Sequence, residues 1–126
     1  MAAILIVEDS PDNMKLFRTL LMLKGHAVVG ILGGDDLFSS IATQRPDLIL
    51  MDIHMPGKDG FTLVSDIRAS AVSDLKVVAL TANAMAGDRE KIIAAGFDGY
   101  ISKPIDIRRF PDQVEQALAG DLPGAG

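Results

Sequence analysis

The chain has 126 residues, 48% of them hydrophobic and 23% charged, with no cysteine and a net charge of −5. Length and composition suit one globular domain rather than a disordered chain. They exclude a disulfide framework and thiolate metal sites, offer no apolar run near the ~18 residues of a membrane span, show no secretion signal, and argue against nucleic acid as a partner. The expectation is a soluble cytoplasmic domain with no membrane association.

Apolar runs and helical stretches alternate along the chain. Ile4-Leu5-Ile6-Val7 is the first run. Ser10 then offers a cap to a helix opening at Pro11 and stopping near Lys24-Gly25. Ala27 to Ile31 is the second run, followed by a helix over about Asp35 to Gln44 that Arg45-Pro46 ends. Leu48-Ile49-Leu50-Met51 precedes a helix over Asp59 to Ala69. Val77-Val78-Ala79-Leu80 precedes one from about Ala84 to Ala95, closed by Gly96. Tyr100-Ile101 precedes a last helix that begins after Asp106 and ends near Ala119-Gly120. The runs are continuous rather than alternating, as strands buried on both faces of a parallel sheet require. Five strand-helix units with short connections predict an α/β doubly wound five-stranded sheet with five helices. The domain should span 1–120, with 121–126 a flexible tail.

Ligands of such sheets sit outside the carboxyl ends of the strands. The first strand delivers Glu8-Asp9 there, the third Asp52, the fourth Thr81 and the fifth Lys103. Three crowded carboxylates repel one another, and a hard divalent cation such as Mg²⁺ relieves this. An ammonium and a hydroxyl alongside suit a phosphoryl group, towards which a carboxylate is a competent nucleophile. Each residue also has a plainer reading: Glu8-Asp9 as helix-capping acids, Asp52 as a loop acid, Thr81 as a helix cap, Lys103 as a surface lysine or ion-pair partner. His54 reads as solvent-facing, because no second His or Cys stands at metal spacing. The coincidence of four strand ends favours the shared site. In the first helix, Met14, Phe17 and Leu21 form the core stripe, and Leu16, Leu20 and Leu23 a second stripe left partly near water. Asn13 and Leu16, with Pro104 and Ile105 across the rim, form a candidate docking patch.

The ordered set I-L-I-V-E-D, D-L-I-L-M-D-I-H-M-P-G-K-D-G, V-V-A-L-T-A and G-Y-I-S-K-P-I resembles the receiver domain of two-component response regulators over essentially the whole chain. N-M-K-L-F in the first helix and Y-I-S-K-P-I are most similar to stand-alone receivers of the DivK type. The resemblance implies the flavodoxin-like strand order 2-1-3-4-5. It implies Asp52 as phosphoacceptor, with Asp9, and Glu8 through water, holding Mg²⁺ beside Asp52 and the backbone carbonyl of His54. Thr81 and Lys103 would bind phosphoryl oxygens, helped by the backbone N–H groups of His54 and Ala82. Pro56 and Gly60 would shape the loop after Asp52. Thr81 and Tyr100 would form the switch, and His54 and Asn83 would tune dephosphorylation. The Lys103-Pro104 bond would be cis. The implied partners are a sensor histidine kinase or histidine phosphotransfer protein as donor, and a downstream protein target; no attached DNA-binding domain is read from the chain.

Two positions depart from the family pattern. Lys76 stands where proline is frequent, a change expected to matter little. Pro111 falls inside the expected fifth helix, so that helix either starts late, with Pro111 near its first position, or has a distorted first turn. Three rival functions are weaker. A haloacid-dehalogenase-type Mg²⁺ phosphatase needs a second Asp two residues after the nucleophile, where this chain has His54. A flavin-binding protein needs a phosphate loop that E-D-S-P-D would repel. A degenerate receiver scaffold would not carry the full acidic, Asp, Thr and Lys set.

Overall fold

The computed structural model describes residues 2–55, 57–82 and 86–121. Pro56, Asn83, the expected helix start at Ala84 and residues 122–126 of the expected tail lie outside them.

The elements run β1 (Ala3–Val7), α1 (Pro11–Met22), β2 (Ala27–Ile31), α2 (Leu37–Gln44), β3 (Leu48–Asp52), α3 (Gly60–Arg68), β4 (Val77–Thr81), α4 (Ala86–Ala95), β5 (Gly99–Ser102) and α5 (Phe110–Leu118). All four strand pairs are parallel, in the order β2-β1-β3-β4-β5. Side chains alternate across the sheet, which splits the core into two layers. Leu5, Val7, Ile49, Met51, Val77 and Ala79 pack against Leu37 and Ile41 of α2, Leu63, Val64 and Ile67 of α3, and Ile92 of α4. Ile4, Ile6, Leu48, Leu50, Val78 and Leu80 pack on the other side against Met14, Phe17 and Leu21 of α1 and Phe110, Val114 and Ala117 of α5. The expected core stripe of α1 is therefore the buried one. In the second stripe Leu16 and Leu20 lean on the core edge, and Leu23 is 78% exposed.

Burial on both faces holds for β1, β3 and β4 but not for β2, whose Ala27 and Val29 are exposed. The reason is position: β2 is an edge strand with β1 as its one neighbour. In α1, Ser10 Oγ accepts the Asn13 N–H at 3.3 Å, with Pro11 opening the helix. In α3, Asp59 Oδ1 accepts the Thr62 N–H at 2.9 Å. α2 starts at Leu37, later than expected, and Asp36 makes no side-chain cap bond.

The Pro111 question resolves as a late start. α5 opens at Phe110, so Pro111 sits in the first turn, where a missing N–H costs nothing. Residues 106–109 turn instead, with Asp106 Oδ1 accepting the Arg108 N–H at 2.9 Å. Lys76 has a definite place in the fold. Its Nζ donates to the carbonyls of Leu118 at 3.0 Å and Ala117 at 3.4 Å, supplying a cation to the C-terminal end of α5, where carbonyls lack helical partners. No helix among the described residues is long and apolar enough to cross a membrane.

Candidate functional site

Strand register brings the site together. Val7 pairs with Met51, Asp52 with Leu80, and Thr81 with Ser102. The residues at or just beyond these pairs therefore share one edge of the sheet. One carboxylate oxygen from each of Glu8, Asp9 and Asp52 lies within 4.8 Å of the other two. Glu8, Asp52 and Thr81 are buried, and Asp9 is half-buried. Lys103 Nζ lies 2.8 Å from Glu8 Oε1 and 3.3 Å from Asp52 Oδ1.

Local chemistry fixes each part. The Lys103 N–H donates to the Thr81 carbonyl at 2.7 Å, and the Lys103–Pro104 peptide is cis. The His54 N–H donates to Asp52 Oδ1 at 3.2 Å, while the His54 side chain is exposed, as expected. Gly60 allows α3 to approach the end of β3: a Cβ there would stand 2.7 Å from the Asp52 carbonyl oxygen and 2.8 Å from Ile53 Cα, both rigid backbone. Its N–H donates to the Ile53 carbonyl at 2.8 Å, closing the loop after Asp52. Thr81 is the last residue of β4, and the described residues of α4 begin at Ala86.

Burial disfavours the charge on Lys103, but its hydrogen bond to Glu8 and the charges of Asp52 and Glu8 outweigh that, and its pKa is raised above the ordinary 10.5. The ammonium therefore stays charged at neutral pH. One cation still faces three carboxylates, two of them buried. All-oxygen donors at this spacing fit a hard divalent cation and offer nothing to a soft metal.

Around this pocket, Asn13, Leu16, Pro104 and Ile105 line one cleft of about 330 Å³ together with Lys103 and Ala82. The four expected docking residues are thus contiguous. Tyr100 stands on β5, half-buried. It lines a separate hollow with Ser102, Pro104, Arg109 and Gln113. One contact escaped the sequence reading. Asn13 Nδ2 donates to Glu8 Oε1 at 3.4 Å, so its amide serves the acid pocket. A usable signal existed: Asn13 is the third helical residue after the Ser10 cap, the position whose side chain reaches back over a helix start.

Fold, register and pocket together place an acid cluster and one lysine at the carboxyl edge of a doubly wound sheet, and comparison with known proteins names the class. The chain belongs to the response regulator receiver domain family, whose model matches residues 4–115. It is 38% identical over 117 residues to the polar-differentiation response regulator DivK of Brucella anthropi, across 92% of this chain and 95% of that protein. It is 39% identical over 115 residues to the sensor protein GacS of Pseudomonas syringae, covering 88% of this chain but 13% of that much longer one. The receiver domain of the sensor histidine kinase PA1611 from Pseudomonas aeruginosa, solved with magnesium in its active-site cleft, aligns with a TM-score of 0.82 at 35% identity, covering 94% of this chain and 98% of that one. The chain is thus a receiver of two-component signalling, a signalling protein.

Proposed function

We propose that this receiver takes a phosphoryl group from a phosphohistidine onto Asp52 and switches protein binding, or passes the group onward. An Asp52 carboxylate oxygen attacks phosphorus, the P–N bond of the donor breaks, and an acyl phosphate forms as the imidazole leaves. Asp9 and Asp52, the backbone carbonyl of His54 and, through water, Glu8 would hold Mg²⁺, which would supply charge neutralisation. Lys103 and Thr81 bind phosphoryl oxygens, joined by the backbone N–H groups of His54 and Ala82. The observation that carries this reading is the position of Lys103, within 3.3 Å of Asp52 Oδ1 and opposed by three carboxylates. The test is a small phosphodonor with Mg²⁺. It should add one phosphoryl group at Asp52, chelation should stop the reaction, and Asp52→Ala should abolish it. Stable phosphorylation mapped to another residue would falsify the assignment.

Phosphorylation adds negative charge and acceptor oxygens at Asp52. Thr81 then moves towards them, and Tyr100 turns inward. Thr81→Ala should therefore uncouple phosphorylation from target binding. His54 and Asn83 tune the lifetime of the acyl phosphate. Substituting either should change its decay several-fold without stopping its formation.

The donor, a sensor histidine kinase or a histidine phosphotransfer protein, docks on Leu16 and Ile105, with Asn13 and Pro104 beside them. Leu16→Ala and Ile105→Ala should slow transfer from the protein donor and spare the small donor. Residues 1–120 form the working domain, 121–126 a tail, and the cytoplasm is the compartment in which such a donor meets it.

A further inference from the structure

We propose that Asn13 is a positioning residue that keeps the Glu8 carboxylate aimed into the acid pocket when Lys103 withdraws from it. The inference rests on the reading of that pocket as a cation and phosphoryl site. Glu8 has no exposed surface. Its Oε1 takes two donors, Lys103 Nζ at 2.8 Å and Asn13 Nδ2 at 3.4 Å. Its Oε2 takes the Ser10 N–H at 3.4 Å. A carboxylate oxygen only accepts, so the amide presents its NH₂ and not its carbonyl. The Asn13 bond is long because the charged donor holds the shared oxygen more tightly.

Lys103 has a second claim on it. The same Nζ stands 3.3 Å from Asp52 Oδ1, and a phosphoryl group on Asp52 draws it that way. Glu8 then loses its one cationic partner among the described residues, and a buried carboxylate with too few donors is costly. Asn13 is already in place to close on the released oxygen. The helix start holds it there: Ser10 Oγ takes the Asn13 N–H at 3.3 Å, which fixes the first turn. The chemistry of the side chain suits the task. A Lys or Arg here would compete with a bound cation, and an acid would add a fourth carboxylate to the pocket.

The test is a Mg²⁺ titration of the full chain followed by amide NMR, with thermal unfolding measured in parallel. Asn13→Ala should weaken Mg²⁺ binding several-fold, less than the roughly tenfold that loss of a partner directly behind a metal ligand costs, because Glu8 acts through water, and should leave the unfolding midpoint in place. Asn13→Gln, which restores the donor, should recover part of the loss. In a Lys103→Met background the effect of Asn13→Ala should grow, because Lys103 no longer holds Glu8. In the wild type, the Asn13 side-chain NH₂ resonances should move as Mg²⁺ is added, a readout that needs no variant to fold. Affinity within about twofold of wild type in both backgrounds, or NH₂ resonances that stay still while Mg²⁺ binds, overturns the proposal and leaves Asn13 with docking alone. A wild-type chain that binds no Mg²⁺ is a different result, because it removes the cation reading on which the inference stands.

Discussion

The two rims of the sheet treat charge in opposite ways. At the amino ends of the strands, charged side chains find partners that tie elements together. Arg68 at the end of α3 donates to the carbonyls of Gly96, Ser73 and Leu75 at 2.6–2.8 Å and to Asp98 Oδ2 at 2.8 Å. The same Asp98 oxygen accepts the Val77 N–H at 2.8 Å. His26 is buried, with Nε2 2.7 Å from Glu115 of α5 and Nδ1 accepting the Ala2 N–H at 3.2 Å. Asp47 Oδ2 accepts the Ala3 N–H at 2.9 Å. At the carboxyl ends, three carboxylates crowd one lysine. Matched charges hold a fold, whereas unmatched ones keep free energy in reserve for a ligand that matches them.

The contrast breaks if one substitution at each rim does the other's work. The largest expected effect is on chemistry: Asp52→Asn should eliminate phosphorylation by a small donor without lowering the free energy of unfolding. Arg68→Ala should do the reverse, costing about 3 kcal/mol in denaturant unfolding because several donors are lost at once and Asp98 loses its cationic partner. Its rate of phosphorylation should stay near wild type in conditions where it is folded.

A sharper test uses sign. Asp9→Asn relieves repulsion and should stabilise the Mg²⁺-free protein by about 1 kcal/mol. The gain should vanish at saturating Mg²⁺, which stabilises the wild type in proportion to its binding. Asp98→Asn at the opposite rim should destabilise with or without Mg²⁺.

The next test is pH. The folded-state pKa of Lys103 is raised, so its contribution is fully present below the ordinary lysine value and is lost as pH rises through the folded one. Unfolding of wild type and Lys103→Met should therefore converge at the alkaline end, and a constant gap would refute the pairing. The smallest effect belongs to Lys76→Met, which should cost about 0.5–1 kcal/mol through the end of α5 and leave Mg²⁺ binding unchanged.

The chain by itself determined the alternation of strands and helices. Continuous apolar runs, the Ser10 cap and the Pro111 alternative are local chemistry, and local chemistry is written in consecutive residues. It also determined which side chains reach the carboxyl rim, because strand ends are readable from where the apolar runs stop. It left open whether Glu8 and Thr81 were helix caps or pocket residues, because each role uses the same atoms over the same short distance. Tertiary structure decided where Glu8 stands and which elements meet. Register placed Lys103 within reach of both Glu8 and Asp52, although Glu8 and Lys103 lie far apart along the chain. Edge position left β2 half-exposed despite an apolar sequence much like that of the buried strands. Packing of α5 beside β4 made Lys76 a helix partner, and the first turn of α1 turned Asn13 inward onto Glu8. Each of these depends on which elements become neighbours, and that is a property of the assembled sheet rather than of any one segment.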